Sequence, residues 1–188
     1  MVEGNQPAQA WPTHNLQQLD TVINTARLAD KNLFIWDKQG NVGTFLQYKG
    51  MLCTLDSLIV RKALGNCSGE EVGESIRKHF IAAMRNGDKL GLDMADKIPA
   101  FADYASDGTF DPALFFNFAE FKKEASHMPF VREDENHGVG GVNPGFGYAR
   151  SNDFSCTVRT SVETEEQLQE VINGIPGFND HFQHVIFE

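Results

Sequence analysis

Cysteine is scarce and odd in number: Cys53, Cys67 and Cys156 stand far apart, with no Cys-x-x-Cys among them. That argues against a disulfide framework and a structural zinc site, and reads as buried thiols in a reducing compartment. Positive charge is also in short supply, with 16 Lys and Arg against 26 Asp and Glu and a formal charge of −10. Nucleic acid needs clustered basic residues, and an anionic membrane surface needs the same, so neither is expected as a partner. No apolar run approaches the roughly 20 residues of a membrane span. The stretch Met1–Pro12 has no basic region followed by an apolar one, so it is no secretory signal and the expected location is cytoplasmic. Tyr and Trp are few, whereas 15 Phe point to a core or a docking surface built on that one ring.

What is present is alternation of two periods. Residues 1–12 read as a flexible arm, with Trp11 as an anchor, and 13–188 as one α/β domain carrying a long Gly-rich loop around 126–152. Thr13 or Asn15 caps a helix running to about Asp30. Leu33–Trp36 is a strand, and Thr44–Tyr48 an extended or helix-entry segment. Leu52–Leu64 reads as a helix ended by Gly65-Asn66. Ser68 and Glu71 form a capping box that opens a longer helix, closed at Asn86-Gly87 before the strand Leu90–Leu92. Residues 98–108 read as loop. Asp111-Pro112 opens a helix to about Ala125, apolar on more than one side. Phe154, Cys156 and Val158 alternate with Ser155, Thr157 and Arg159 as a strand does. Thr164 and Gln167 cap a further helix, and 182–187 is a closing strand. This order favours a mainly parallel sheet flanked by helices.

Motifs that would carry chemistry are incomplete. A P-loop requires GxxxxGK[ST]; the nearest stretch, Gly65–Gly73, has no Lys and places Glu70 and Glu71 where a phosphate would sit. Asp93 ends a strand as a magnesium-holding Asp would, but Met94 follows instead of a second acid. The run Asp103–Asp111 imitates a calcium loop with Ala105 and Leu114 at two ligand positions. His181 and His184 form HxxH, whose members point to opposite faces on a strand. The Gly-rich stretch 137–147 does not match GxGxxG, and no Ser lies in GxSxG.

Three segments carry a resemblance: Leu33–Gly40 (LFIWDKQG), Thr44–Tyr48 (TFLQY) and Ile81–Leu92 (IAAMRNGDKLGL). Their pattern resembles nucleotide-poor AAA+ modules of dynein heavy chains. It is similar too to the degenerate P-loop-like C-terminal region of ciliary IQ-motif and ankyrin-repeat proteins. The resemblance covers about residues 33–111 and loosely the strand near Phe154. It matches Asp37, Gln39 and Gly40 to a post-strand turn and Asn86-Gly87 to the turn before the next strand. No Walker A precedes these segments, Trp36 stands where a small or apolar residue is usual, and IQ motif and ankyrin array are missing. The resemblance implies a P-loop-NTPase-like core without a P-loop, kept as a scaffold in a ciliary or flagellar, microtubule-based setting.

The expectation is therefore a non-catalytic subunit that binds other proteins of a larger assembly, plausible for an axoneme. It carries no catalytic, cofactor or metal site. Trp11, Phe115, Phe116, Phe121 and Phe146 are the candidate contact residues, unless these rings fill the core. The competing expectation is a nucleotide-binding or phosphotransfer enzyme, with phosphates on 65–73 or 138–147 and magnesium on Asp37 or Asp93. Calcium sensing through 103–111 is a third.

Overall fold

Six consecutive residues, Asn32–Asp37, are buried without a break and form β2, the strand on which the sheet is assembled. A parallel strand covered on both faces loses the alternation of polar and apolar residues, and NLFIWD reads accordingly. The computed structural model describes residues 11–141 and 147–188. Of the expected arm, 1–10 lies outside the described residues, and so does Phe146.

The sheet has six strands in the order β1-β6-β2-β5-β4-β3: β1 is Thr13–His14, β3 Met51–Thr54, β4 Lys89–Asp93, β5 Ser155–Thr160 and β6 Phe182–Phe187. Every pairing is parallel. Helices α1 (Leu19–Leu28) and α2 (Asn41–Lys49) cover one face through Leu19, Val22, Ile23, Val42 and Leu46. The other face carries α4 (Gly69–Asn86), the short turns α5 to α7 (Pro112–Phe115, Phe118–Phe121, Glu124–His127) and α8 (Glu165–Asn173). The chain moves outward from β2 to β3 over the first face and returns through β4, β5 and β6 over the second. Reversing both direction and face keeps the hand of each crossover constant.

Several local expectations fail for identifiable reasons. The predicted helix 52–64 is two elements, β3 followed by α3 (Leu55–Ala63). β3 is a four-residue strand, paired among the described residues only with β4, and too short to show a period of two. Thr44–Tyr48 lies inside α2. Thr13 and His14 form β1, and Asn15 caps a 3-10 turn at Leu16–Gln18, so the first helix starts at Leu19. The predicted helix 111–125 is broken into α5, α6 and α7: the Asn117 side chain accepts from Glu120 N–H and starts α6 afresh, and the backbone turns extended again at Lys123 before α7. The capping boxes at Ser68–Glu71 and Thr164–Gln167 and the Asp111 cap form as expected. β5 is buried on both faces, so its alternation does not mark an exposed side.

The Phe count is explained on the α4 face. Phe115 lies 4.2 Å from Phe121, 5.1 Å from Phe80 and 4.9 Å from Phe130, centroid to centroid. Phe116 meets Phe101 edge-on at 4.8 Å, and Trp11 lies against Phe34 and Phe178. Edge-to-face pairs place the positive rim of one ring on the negative face of the next. Trp11, Phe115, Phe116 and Phe121 are thus core residues, and none offers its ring to a partner in this fold.

One buried charge holds the irregular segment to that face. Arg77 of α4 is fully buried and uses all five of its N–H donors. Nε and Nη2 reach both carboxylate oxygens of Glu74 at 2.8 Å; Nη1 and Nη2 reach those of Glu135 at 2.6 and 2.8 Å; Nη1 also donates to Phe130 O at 2.7 Å. Only a planar fork satisfies this geometry. The Arg77→Ala chain should lose about 3–5 kcal/mol in urea unfolding, because two carboxylates and a carbonyl lose their partner. Arg77→Lys should recover only part of that.

The hydrogen bond from Arg77, with a second from Arg132, holds the Glu74 carboxyl down at about 2. Its folded pKa lies below its unfolded one, so the stabilisation is present above about pH 4.5 and is lost as pH falls toward 2. Urea unfolding at pH 5, 4 and 3 should therefore show a steeper loss of stability for the native chain than for Glu74→Gln.

Candidate functional site

In an open parallel sheet a ligand crevice forms where neighbouring strands send their chains to opposite faces. Here that point lies between β2 and β5: the chain leaves β2 toward α2 on one face and leaves β5 toward α8 on the other. The register brings Asp93, Arg159 and Ile35 side by side across β4, β5 and β2, with Asp37 two residues beyond Ile35 on the same face. The two acids offered from the sequence as magnesium candidates thus meet at the carboxyl end of the sheet. The residue that the sequence reading passed over stands between them.

Arg159 closes the crevice. Its Nε donates to Asp37 Oδ2 at 3.0 Å, its Nη2 lies 2.9 Å from the same oxygen, and its Nη1 donates to Asp93 Oδ1 at 2.7 Å. Asp37 is 1% exposed and Arg159 5%, so this is an ion-pair network removed from water. Burial by itself would lower the Arg159 pKa; the hydrogen bond and charge of Asp93, with those of Asp37, raise it instead. Asp37 has a second task. Its Oδ1 accepts from Gly40 N–H at 2.9 Å and its Oδ2 from Val42 N–H at 3.0 Å. These are the free donors at the start of α2, where a helix presents positive partial charge to an anion. The protein's own carboxylate fills that place.

Helix α2 comes down on the pair without a side chain in the way. A Cβ at Gly43 would sit 2.9 Å from Asp93 Oδ2 and 3.4 Å from Arg159 Nη1. The recess between Asp37, Gln39 and Glu188 holds ≈ 10 Å³, about one water, whereas small-molecule pockets run to several hundred.

The other sequence candidates are dispersed. In Gly65–Gly73, Gly65 takes a left-handed φ of 73° after α3, and the other two glycines serve packing: a Cβ at Gly69 would lie 2.1 Å from Asp103 O, and one at Gly73 2.3 Å from Tyr104 O. Glu71 is spent on the α4 cap, with Ser68 N–H donating to its Oε2 at 2.7 Å. In 103–111, Asp103 pairs with Lys62 and Asp111 caps α5. His184 lies tilted against Trp11, with ring centroids 4.5 Å apart, while His181 ends the short turn α9 (Phe178–His181). Burial pushes the Cys53 thiol up to about 12 and raises that of Cys156 as well. Among the described residues no group of three or more His, Cys, Asp or Glu is placed to hold a metal ion. Of the stretch 138–147, residues 142–146 lie outside the described residues.

Removing the guanidinium should expose the conflict that it resolves. Arg159→Met should cost about 3–5 kcal/mol in urea unfolding at neutral pH, since it strands two carboxylates out of water. Adding Asp93→Asn to it should recover more than about 1 kcal/mol, as coupled sites do. Strict additivity of the two changes would show that the pair is not coupled.

Comparison with protein-family models, with curated proteins and with solved structures gives no significant match to this chain.

Proposed function

We propose that this chain is a non-catalytic structural subunit whose role is to bind other proteins within a larger assembly. The observation that carries the reading is Arg159. It occupies the crevice where a parallel sheet would receive a ligand and pairs with both acids that could hold a metal ion there. Its neighbour Asp37 takes the helix donors that would meet a phosphate. In this reading the sheet is a P-loop-NTPase-like core without a P-loop, with architecture retained and chemistry given up. The resemblance to nucleotide-poor AAA+ modules of dynein heavy chains supports a ciliary or flagellar microtubule assembly as its setting.

The rival reading, a nucleotide-binding or phosphotransfer enzyme, is favoured by one observation: Asp37 and Asp93 converge at the switch point. Melting the protein with and without Mg-ATP or Mg-GTP separates the two. A ligand at 100 times its dissociation constant stabilises the folded state by about 2.7 kcal/mol, several degrees in melting temperature. The expected result is an unchanged melting temperature at millimolar nucleotide. A rise of several degrees, abolished by Asp93→Ala, would establish the enzyme reading in its place.

A further inference from the structure

At the opposite end of the sheet, before the starts of β2 and β5, a cleft of ≈ 200 Å³ opens between Arg27, Asp30, Phe118, Lys122, Arg150 and Asn152, with Leu28 at its rim. It collects three cations and one acid in a chain whose formal charge is −10. Lys122 and Asp30 pair with each other. The two arginines have no carboxylate within ion-pair distance among the described residues. Arg27 Nη1 donates to Asn152 O at 2.7 Å, and its Nε is buried without a hydrogen-bond partner. Among the described residues Arg150 donates only to its own loop, to Ser151 O and Asn152 Oδ1, both at 3.0 Å. The buried donor left unused on Arg27 is a standing cost. The guanidinium groups of Arg27 and Arg150 line one cleft and repel, unless an anion lies between.

Apolar surface borders the charge. Phe118 is 5% exposed and stacks on Phe154, whereas Leu28 is 76% exposed. A free inorganic anion would use the arginines and leave Leu28 bare. A peptide carrying Glu or Asp beside an aliphatic residue would use both.

We infer that this cleft is a docking site for an acidic peptide segment of a protein partner, with a carboxylate received by Arg27 and Arg150 and an apolar side chain laid on Leu28. The inference rests on the protein-binding reading above and gives that partner its chemistry. Charge complementarity decides the occupant, since this is a local positive patch on a strongly acidic molecule.

Fluorescence anisotropy tests it on the full chain, with a labelled peptide of alternating Glu and Leu and its Gln-Leu counterpart as probes. The Glu-Leu peptide should bind saturably at low salt and weaken as salt is raised. Affinity should fall about tenfold or more in Arg150→Glu and in Arg27→Gln, but stay unchanged in the remote control Arg61→Glu. No saturable binding at millimolar protein, equal affinity for the Gln-Leu peptide, or unchanged affinity in both cleft variants would overturn the proposal. Displacement of the peptide by inorganic phosphate at low millimolar concentration would overturn it too, in favour of a phosphate site. The salt and Gln-Leu arms use the unaltered chain, so the test stands even where a variant fails to fold. A nucleotide-induced melting shift bears on the earlier reading alone, and the peptide result on this one alone.

Discussion

A guanidinium between two carboxylates decides what this molecule's main crevice can be. Parallel sheets of this kind bring polar strand ends together beneath helix N-termini, and such a convergence has to be neutralised by something. In a ligand-binding protein the ligand does it. Here the Arg159 guanidinium bridges the Asp37 and Asp93 carboxylates and Asp37 takes the helix donors, so each of these polar groups has a partner within the chain. The close descent of α2 over Gly43 and the small recess beside Asp37 follow from the same choice, because a satisfied ion pair can be packed shut.

The device appears twice. Arg77 joins α4 to the irregular segment near residue 130, as Arg159 joins β5 to β2 and β4. In both cases the arginine is buried and bridges two acids that come from different parts of the chain or from its own helix. Such networks add little stability compared with a well-packed apolar core, and their breaking is expensive. Their effect is to fix which surfaces meet.

Most of the architecture was legible. Helices α4 and α8 announce themselves through capping boxes, and β2 and β6 through apolar runs, because those signals are local. The strand β3 was not legible, since four residues carry too little pattern to compete with the helical period that follows. Arg159 was hidden for a related reason: alternation in Phe154–Arg159 suggests a half-exposed strand, and only the sheet order shows both faces covered. A buried arginine needs an acid, and Asp37 and Asp93 were in view; what was missing was the register that joins them. The Phe residues posed a similar choice between core and surface, which composition alone does not resolve.

The three four-residue turns α5 to α7 have a consequence for how the molecule is held together. A single helical turn is far below the length at which a helix sustains itself in water. These turns are ordered by what their rings touch, chiefly Phe80, Phe101 and Phe154 on elements elsewhere in the chain. Each ring is a neighbour to the next, from Phe110 through Phe115 to Phe121 and Phe130. Loss of one contact therefore weakens the support of the others, because the rings hold the stretch as one packed cluster.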